Sequence, residues 1–298
     1  MKNRLWRGIA IGVIALGGFV GVARAQLEAN LGGLEARNAV GYLRPLSTGL
    51  SASLSSAVFR TGHVPRQGFS LTVGLDAMTV GFSDEDRTFR PTDPVGFSSV
   101  QSVPVSTVIG DGRSVAVPGE AGTVLYYPGG FDLDHFGVAV PEVSVGSIFG
   151  TRLLLRYFAI DTGDSDLGDF RLFGIGAQHS LTQYFHDWPV DVAAGVFIHS
   201  FRIGDVVTLS SWHVNLTGSR QIGILEPYLG IGYDTADMDA EYTYSIDETE
   251  EVLEVDFARE SSAHFTAGVT VGLAPVAFHI EYNAAAASGV ALGVKLGI

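Results

Sequence analysis

Apolar and polar residues alternate with a period of two along most of this chain, most plainly in Ala263–Ile298. Phe265, Ala267, Val269, Val271 and Leu273 alternate with His264, Thr266, Gly268, Thr270 and Gly272. Val276, Phe278, Ile280 and Tyr282 then alternate with Ala277, His279, Glu281 and Asn283, and Val290, Leu292, Val294, Leu296 and Ile298 with Ala291, Gly293, Lys295 and Gly297. A strand points successive side chains to opposite faces, so each run has one apolar face and one small or polar face. The same period predicts strands at Phe69–Ala77, around Val143–Val145, and at Thr151–Ile160, Phe170–Ser180, Val190–Phe201, Val206–Thr217 and Leu225–Tyr233. The total is about ten, within a range of roughly 8 to 14. Runs of this length, linked by turns, are the pattern of an antiparallel, up-and-down transmembrane β-barrel.

Soluble sandwiches alternate too, and the connections separate the two architectures. With the N-terminus taken as periplasmic, the odd-to-even connections are 81–137, 161–169, 202–204, 234–260 and 284–289. The even-to-odd ones are 147–150, 181–189, 218–224 and 274–275. The two longest, about 82–137 and 234–260, fall on one side, which would be extracellular, and the short turns fall on the other. Bacterial outer-membrane barrels show this asymmetry, and a sandwich gives no reason for it. Within the first long loop, Val105–Ile109 and Ser114–Val117 flank Gly110-Asp111-Gly112-Arg113, which predicts a hairpin of its own.

The N-terminus does not alternate. Met1–Ala25 has the parts of a cleaved signal peptide: basic Lys2, Arg4 and Arg7, an apolar Gly8–Val22, and Ala23-Arg24-Ala25 before Gln26. In residues 26–58, Leu27, Leu31 and Leu34 recur at helical spacing, as do Leu43, Leu46, Leu50 and Leu54, with Pro45 suited to a first turn. One or two short amphipathic helices are expected. Their apolar stripe predicts either a plug or cap, in the barrel or its periplasmic mouth, or a helix lying on the periplasmic rim or membrane surface. Residues 59–298 form the barrel. Glycines such as Gly74, Gly230, Gly232, Gly268, Gly272 and Gly293 are expected to leave room for a plug.

Among 298 residues there are 38 Gly, no Cys and a formal net charge of −14. Without cysteine the exported protein has no disulfide and no lipidated thiol. No later stretch reaches the about 18 apolar residues of a helical span, so membrane contact must come from strands. The acidity excludes a nucleic-acid partner, which needs clustered Lys and Arg. Acidic residues concentrate at Asp84-Glu85-Asp86, Asp161–Asp169 and Asp234–Glu254, all read as solvated loops or attractors of divalent cations.

The polar face of the strands gives the lumen-facing candidates: Asp76, Glu142, Arg152, Arg156, Asp191, His199, His213, Asn215, His264, His279, Glu281 and Lys295. Such charges must pair or meet water. They form either a structural network or a selective polar path. No spacing marks a catalytic group, a cofactor site or a metal site, and the four histidines read as lone alternate residues. Neither an enzyme nor a cofactor is expected.

Several blocks carry a resemblance: GYLRPLSTGL (Gly41–Leu50), PGGFDL (Pro128–Leu133), VPEVSVG (Val140–Gly146), GTRLLLRY (Gly150–Tyr157), LGDFRLFGIGAQHSL (Leu167–Leu181) and WPVDVAAGV (Trp188–Val196). Together they resemble a family of uncharacterised outer-membrane proteins of Gram-negative bacteria, known as a domain of unknown function. The resemblance implies an outer-membrane barrel and supplies no ligand or activity. The expected location is the cell outer membrane, and the expected partners are outer-membrane lipid, the barrel-insertion machinery, and a small solute or divalent cation. The expected role is a narrow or plugged, porin-like transport barrel for a small or apolar solute. The alternative is a structural protein acting through acidic extracellular loops.

Overall fold

The computed structural model describes residues 26–27, 29–160, 170–185, 187–246, 249–257 and 259–297. The expected signal peptide Met1–Ala25 and the acidic stretch 161–169 lie outside the described residues. In lipid every backbone N–H and C=O needs a partner within the sheet, and closing the sheet leaves no unpaired edge. Ten long antiparallel strands do this: β1 (Gln67–Gly81), β6 (His135–Ile148), β7 (Thr151–Ile160), β8 (Phe170–Ser180), β9 (Asp191–Ile203), β10 (Val207–Ser219), β11 (Leu225–Ile246), β13 (Glu260–Leu273), β14 (Val276–Ala284) and β15 (Gly289–Gly297). Each pairs with the next, and β15 closes on β1 through a register running from Thr72↔Gly297 to Val80↔Gly289. The remaining strands, β2 (Thr88–Phe89), β3 (Val105–Ser106), β4 (Val115–Pro118), β5 (Val124–Tyr127) and β12 (Thr249–Asp256), belong to the loops.

Short connections gather at one end of the barrel, the turn end. One of two two-residue turns there is Phe149-Gly150, where both residues have positive φ (50° and 73°), the twist that such a hairpin favours. Long connections gather at the other end, the loop end. Two loop readings change there. The Gly110-Asp111-Gly112-Arg113 hairpin does not form, because β3 pairs with β2 and β4 pairs with β5. Residues 108–110 instead align with 130–133: Phe131 N–H donates to Val108 O at 2.8 Å and Leu133 N–H to Ile109 O at 3.0 Å. The stretch read as an acidic loop from Asp234 is also largely strand. β11 continues to Ile246 and pairs with β12, with Met238, Ala240 and Tyr242 buried while Asp239 and Glu241 are exposed.

The inner face of that extension is dry because it packs on the N-terminal segment. After a helical turn holding Leu27 and Leu31, a single helix runs over Ala36–Ser55. Pro45 sits inside it rather than in its first turn. A proline there removes one intrahelical hydrogen bond and crowds the preceding turn. In that turn loop residue Val108 donates its N–H to the Tyr42 carbonyl at 2.9 Å.

The helix enters the barrel from the loop end, not at the periplasmic rim or mouth. Near its start, Asn38 and Tyr42 bond loop carbonyls of Thr92 and Gly129 at 2.9 Å each. Past Ser55 the chain turns at Ala57, which has a positive φ (57°), and then crosses the lumen to the turn end. There Gly150 N–H donates to Arg66 O at 2.9 Å, and Ser147 bonds Pro65 O. Residues 36–66 therefore thread the barrel from one end to the other. Leu31, Leu34, Leu43, Leu50, Val105, Ile109, Tyr127, Leu209 and Met238 form one buried core that seals the loop end.

The outer wall is the reverse. Val73, Leu75, Leu153, Ile175, Ile198, Leu216, Ile231, Ile280 and Leu292 are all exposed. Soluble monomers rarely leave a contiguous apolar patch beyond a few hundred Å², so this belt faces lipid. Exposed Tyr157, Trp212, Tyr233 and Tyr282 lie toward the loop end, and Phe69, Phe149, Tyr184, Phe185 and Trp188 toward the turn end. These are the aromatic girdles of a membrane barrel.

Replacing Ile280, 49% exposed on β14, by Arg should cost roughly 2–4 kcal/mol near the bilayer midplane. Heat-modifiable gel mobility after folding into lipid vesicles measures this. Wild-type folding yield would mean the two faces of the wall are assigned backwards.

Candidate functional site

Charges buried in a barrel lose their hydration and need excellent partners. Here the partners come from both the wall and the threaded segment. Arg156 on β7 is fully buried. Its Nε donates to Glu142 Oε2 at 2.9 Å, and its Nη atoms donate to the carbonyls of Leu54 (3.0 Å), Ser56 (3.0 Å) and Ala57 (2.7 Å) and to Asp76 Oδ2 (3.4 Å). One guanidinium thus holds the unwinding end of the helix to the wall. Arg60, from the segment itself, donates to Asp76 Oδ1 at 3.2 Å and Glu142 Oε1 at 2.7 Å. Lys295 also bonds Glu142. Glu281 accepts from the Ala57 N–H at 2.6 Å and the Tyr228 hydroxyl at 2.7 Å.

These pairs form across strands because glycine intervenes. Glu142 pairs with Gly74 on β1, and Gly74 pairs with Lys295 on β15. A Cβ on Gly74 would lie 2.6 Å from Lys295 Cγ, so a side chain there would displace the lysine. In the next row Asp76 and His279 flank Gly293, where a Cβ would come within 2.3 Å of the Asp76 carboxylate. The room that sequence reading gave to a plug is mostly taken by these lumen side chains. Gly195 is the position that serves the segment directly, since a Cβ there would lie 2.4 Å from the Phe59 ring.

Toward the turn end, Gln178 donates to Thr61 O at 2.8 Å and Gly62 N–H donates to Ser219 Oγ at 2.8 Å. Ser219 and Thr61 both bond Glu226, and exposed His63 meets Asp191 at 3.1 Å. A cavity of ≈ 100 Å³ remains beside Arg60, lined in part by Arg152, Lys295, Glu226 and Ser144.

A second cluster lies under Phe59, whose ring stacks on His213 at 5.7 Å. His213 and His264 (2.7 Å) both bond the Asp234 carboxylate. His264 reaches Asn283, which bonds Glu281 at 2.7 Å and so joins the two clusters.

All twelve lumen candidates line the inner face, although they do not form one site. Asp76, Glu142, Arg156, His279, Glu281 and Lys295 share the central network. His213 and His264 meet at Asp234, and Asn215 lies beside them, accepting from Thr217. His199 is buried without a hydrogen-bond partner, and Arg152 and Asp191 lie toward the turn end. Of the helix leucines, Leu43, Leu50 and Leu54 are fully buried and Leu46 partly so. Sequence reading missed Arg60, Asp234, Tyr228, Glu226 and Gln178. Asp234 continues the inward phase of Gly230 and Gly232, and that signal was available.

A closed, lipid-belted antiparallel barrel with a filled lumen defines an outer-membrane-type β-barrel protein. The chain matches a family of unknown function, DUF6588, over residues 1–298, and it belongs to that family. No curated protein matches it. Among solved structures it is similar to Neisserial surface protein A (12% identity, 77% of this chain and 99% of that one, TM-score 0.28). It is also similar to the outer membrane protease OmpT from Escherichia coli (9%, 82% and 100%, TM-score 0.34) and to the Ralstonia pickettii toluene transporter TbuX (11%, 80% and 90%, TM-score 0.26). At these scores the likenesses carry no argument about what this chain does.

Replacing Arg156 by Met should destabilise the protein by about 3–5 kcal/mol, because Glu142 and Asp76 stay buried with one cation fewer. Lys should not rescue it, since one ammonium cannot reach five acceptors. Urea midpoints in detergent give the stability, and limited proteolysis of residues 26–58 reads release of the segment. An unchanged midpoint for both variants would contradict the assigned role.

Proposed function

We propose that this protein is an outer-membrane barrel that passes a small or apolar solute when its own N-terminal segment is displaced, and that it is not a catalyst. The observation that carries this reading is the lock on residues 54–61. It combines hydrogen bonds to buried charged and polar side chains with a small apolar cluster of Val58, Phe59, Leu154 and Phe197. Water can replace the polar contacts once the lumen hydrates, at a net cost of about 0.5–1.5 kcal/mol per neutral bond and about 1.5–3 kcal/mol per bond to a charged group. With the segment in place it fills most of the lumen, leaving a cavity of ≈ 100 Å³ beside Arg60. With it withdrawn, Asp76, Glu142, Arg156, Glu281 and Lys295 would line a hydrated path. Export by a cleaved signal, folding by the barrel-insertion machinery and contact with outer-membrane lipid complete the reading.

A second reading has its own support. The loops and helix share one apolar core, and Asp237, Asp239 and Glu241 mark the rim of the loop end. A static barrel that displays this end to a partner or divalent cation would look the same.

Planar-bilayer recording separates the two. Deleting Gln26–Gly62 should leave a heat-modifiable barrel whose conductance rises at least several-fold over the intact protein. A correctly inserted deletion variant with unchanged conductance would abandon transport in favour of the structural reading.

A further inference from the structure

His213, Asp234 and His264 sit on three consecutive strands, β10, β11 and β13, and all three are buried. His213 is directly opposite Asp234. His264 is opposite Gly232, where a Cβ would come within 3.0 Å of the His213 ring. Their ligating atoms all lie within 4.8 Å of one another, and among the described residues this is the one such group of three.

The hydrogen bonds around His264 show what the group lacks. The Asn283 amide is oriented by Nδ2, which donates to Glu281 Oε1 at 2.7 Å. Its Oδ1 therefore faces His264 Nε2 at 2.8 Å while accepting from Thr266 Oγ1 at 2.8 Å. His264 Nε2 must carry the proton. In the neutral ring, Nδ1 then points a lone pair at Asp234 Oδ2, only 2.7 Å away. Two lone pairs at that distance repel unless something positive lies between them, either an extra proton or a metal ion. A ring nitrogen donating outward to an oxygen while the other faces an acidic ligand is the arrangement that metal-bound histidines use.

A second observation points the same way. His199, 1% exposed on the adjoining strand β9, has neither ring nitrogen hydrogen-bonded, and Ser211 Oγ, on the residue opposite it, is also unpartnered. His199 lies two residues along β9 from Phe197, the residue opposite His213. Buried polar groups left bare are costly, so this corner has polar atoms to spare for a water bound to the ion.

We propose that His213, Asp234 and His264 bind one zinc-class divalent cation beneath the N-terminal segment, with a water as fourth donor. Two imidazoles and one carboxylate suit Zn²⁺ or Co²⁺ rather than Ca²⁺ or Mg²⁺, which take oxygen ligands. Tetrahedral bonds of about 2.0–2.1 Å put ligand atoms about 3.3 Å apart. His264 Nδ1 and Asp234 Oδ2, now 2.7 Å apart, would part by about 0.6 Å, and His213 and Asp234 by more. Phe59 lies over His213, so the ion enters as the barrel folds around the segment. The site requires no solute movement and stands whether or not the barrel conducts.

The test is to refold the mature protein in detergent with Co²⁺, remove free metal by gel filtration, and measure bound cobalt and its visible spectrum. One equivalent with the intense absorption of a four-coordinate site, bleached by Zn²⁺, is expected. His213→Gln and His264→Gln should lose retention, Asn283→Ala should weaken it about 10- to 100-fold as a second-layer partner, and His63→Ala at the exposed turn end should match wild type. Heat-modifiable mobility confirms that each barrel is folded. A folded wild type that retains no cobalt, or His213→Gln and His264→Gln variants that retain it equally, would overturn the site.

Discussion

The structure depends on the demand that three buried carboxylates, Asp76, Glu142 and Glu281, find partners inside a wall whose outer side is lipid. The wall supplies Arg156 and Lys295 to Asp76 and Glu142, and Tyr228 and Asn283 to Glu281. The threaded segment supplies Arg60, three carbonyls for Arg156 and the Ala57 N–H for Glu281. Without the segment the network is half-satisfied, and a half-satisfied buried network is worse than an apolar one. The charges therefore fix where the segment lies more than they add to stability. The apolar stripe of the helix does the complementary work at the loop end, where burying Leu43, Leu50 and Leu54 contributes about 1.5–3 kcal/mol for each side chain.

Glycine is what lets charge cross strands. In a barrel of this size inward side chains already crowd, because an eight-stranded barrel is just wide enough for its own side chains. The rows Glu142–Gly74–Lys295, Asp76–Gly293–His279 and Tyr228–Gly268–Glu281 each put a bare position between two polar residues. The flanking side chains then meet over the glycine and leave the barrel axis to the segment. Gly232 is likewise a bare position between Asn215 and His264, and it leaves room for the His213 ring. One inner wall thus holds a charged lock for the segment and a compact nitrogen–oxygen cluster.

The wall was legible in the sequence because lipid on one side and a lumen on the other impose a strict period of two. Thr151–Ile160 shows this directly, with Arg152 and Arg156 inward and Leu153, Leu155 and Tyr157 outward. What was not legible depends on pairs distant in sequence. Arg60 lies in a segment without period, and nothing local says that it meets Asp76 and Glu142. The Gly110-Asp111-Gly112-Arg113 turn signal is real chemistry overruled by tertiary pairing with residues 130–133. The alternation Asp237-Met238-Asp239-Ala240-Glu241-Tyr242 was in plain view, but the density of acid hid a strand whose inner face packs on the helix.

Threading of residues 36–66 from loop end to turn end underlies all of this, and the absence of cysteine makes it directly measurable. Thr61 Oγ1 and Ser219 Oγ lie 3.4 Å apart at the turn end, 158 residues apart in sequence. Cysteines placed at both positions should form an intramolecular disulfide in the folded barrel under mild oxidation, seen as a mobility shift reversed by reductant. Free thiols that both react with a water-soluble maleimide in the folded protein, with no cross-link, would contradict the threaded path.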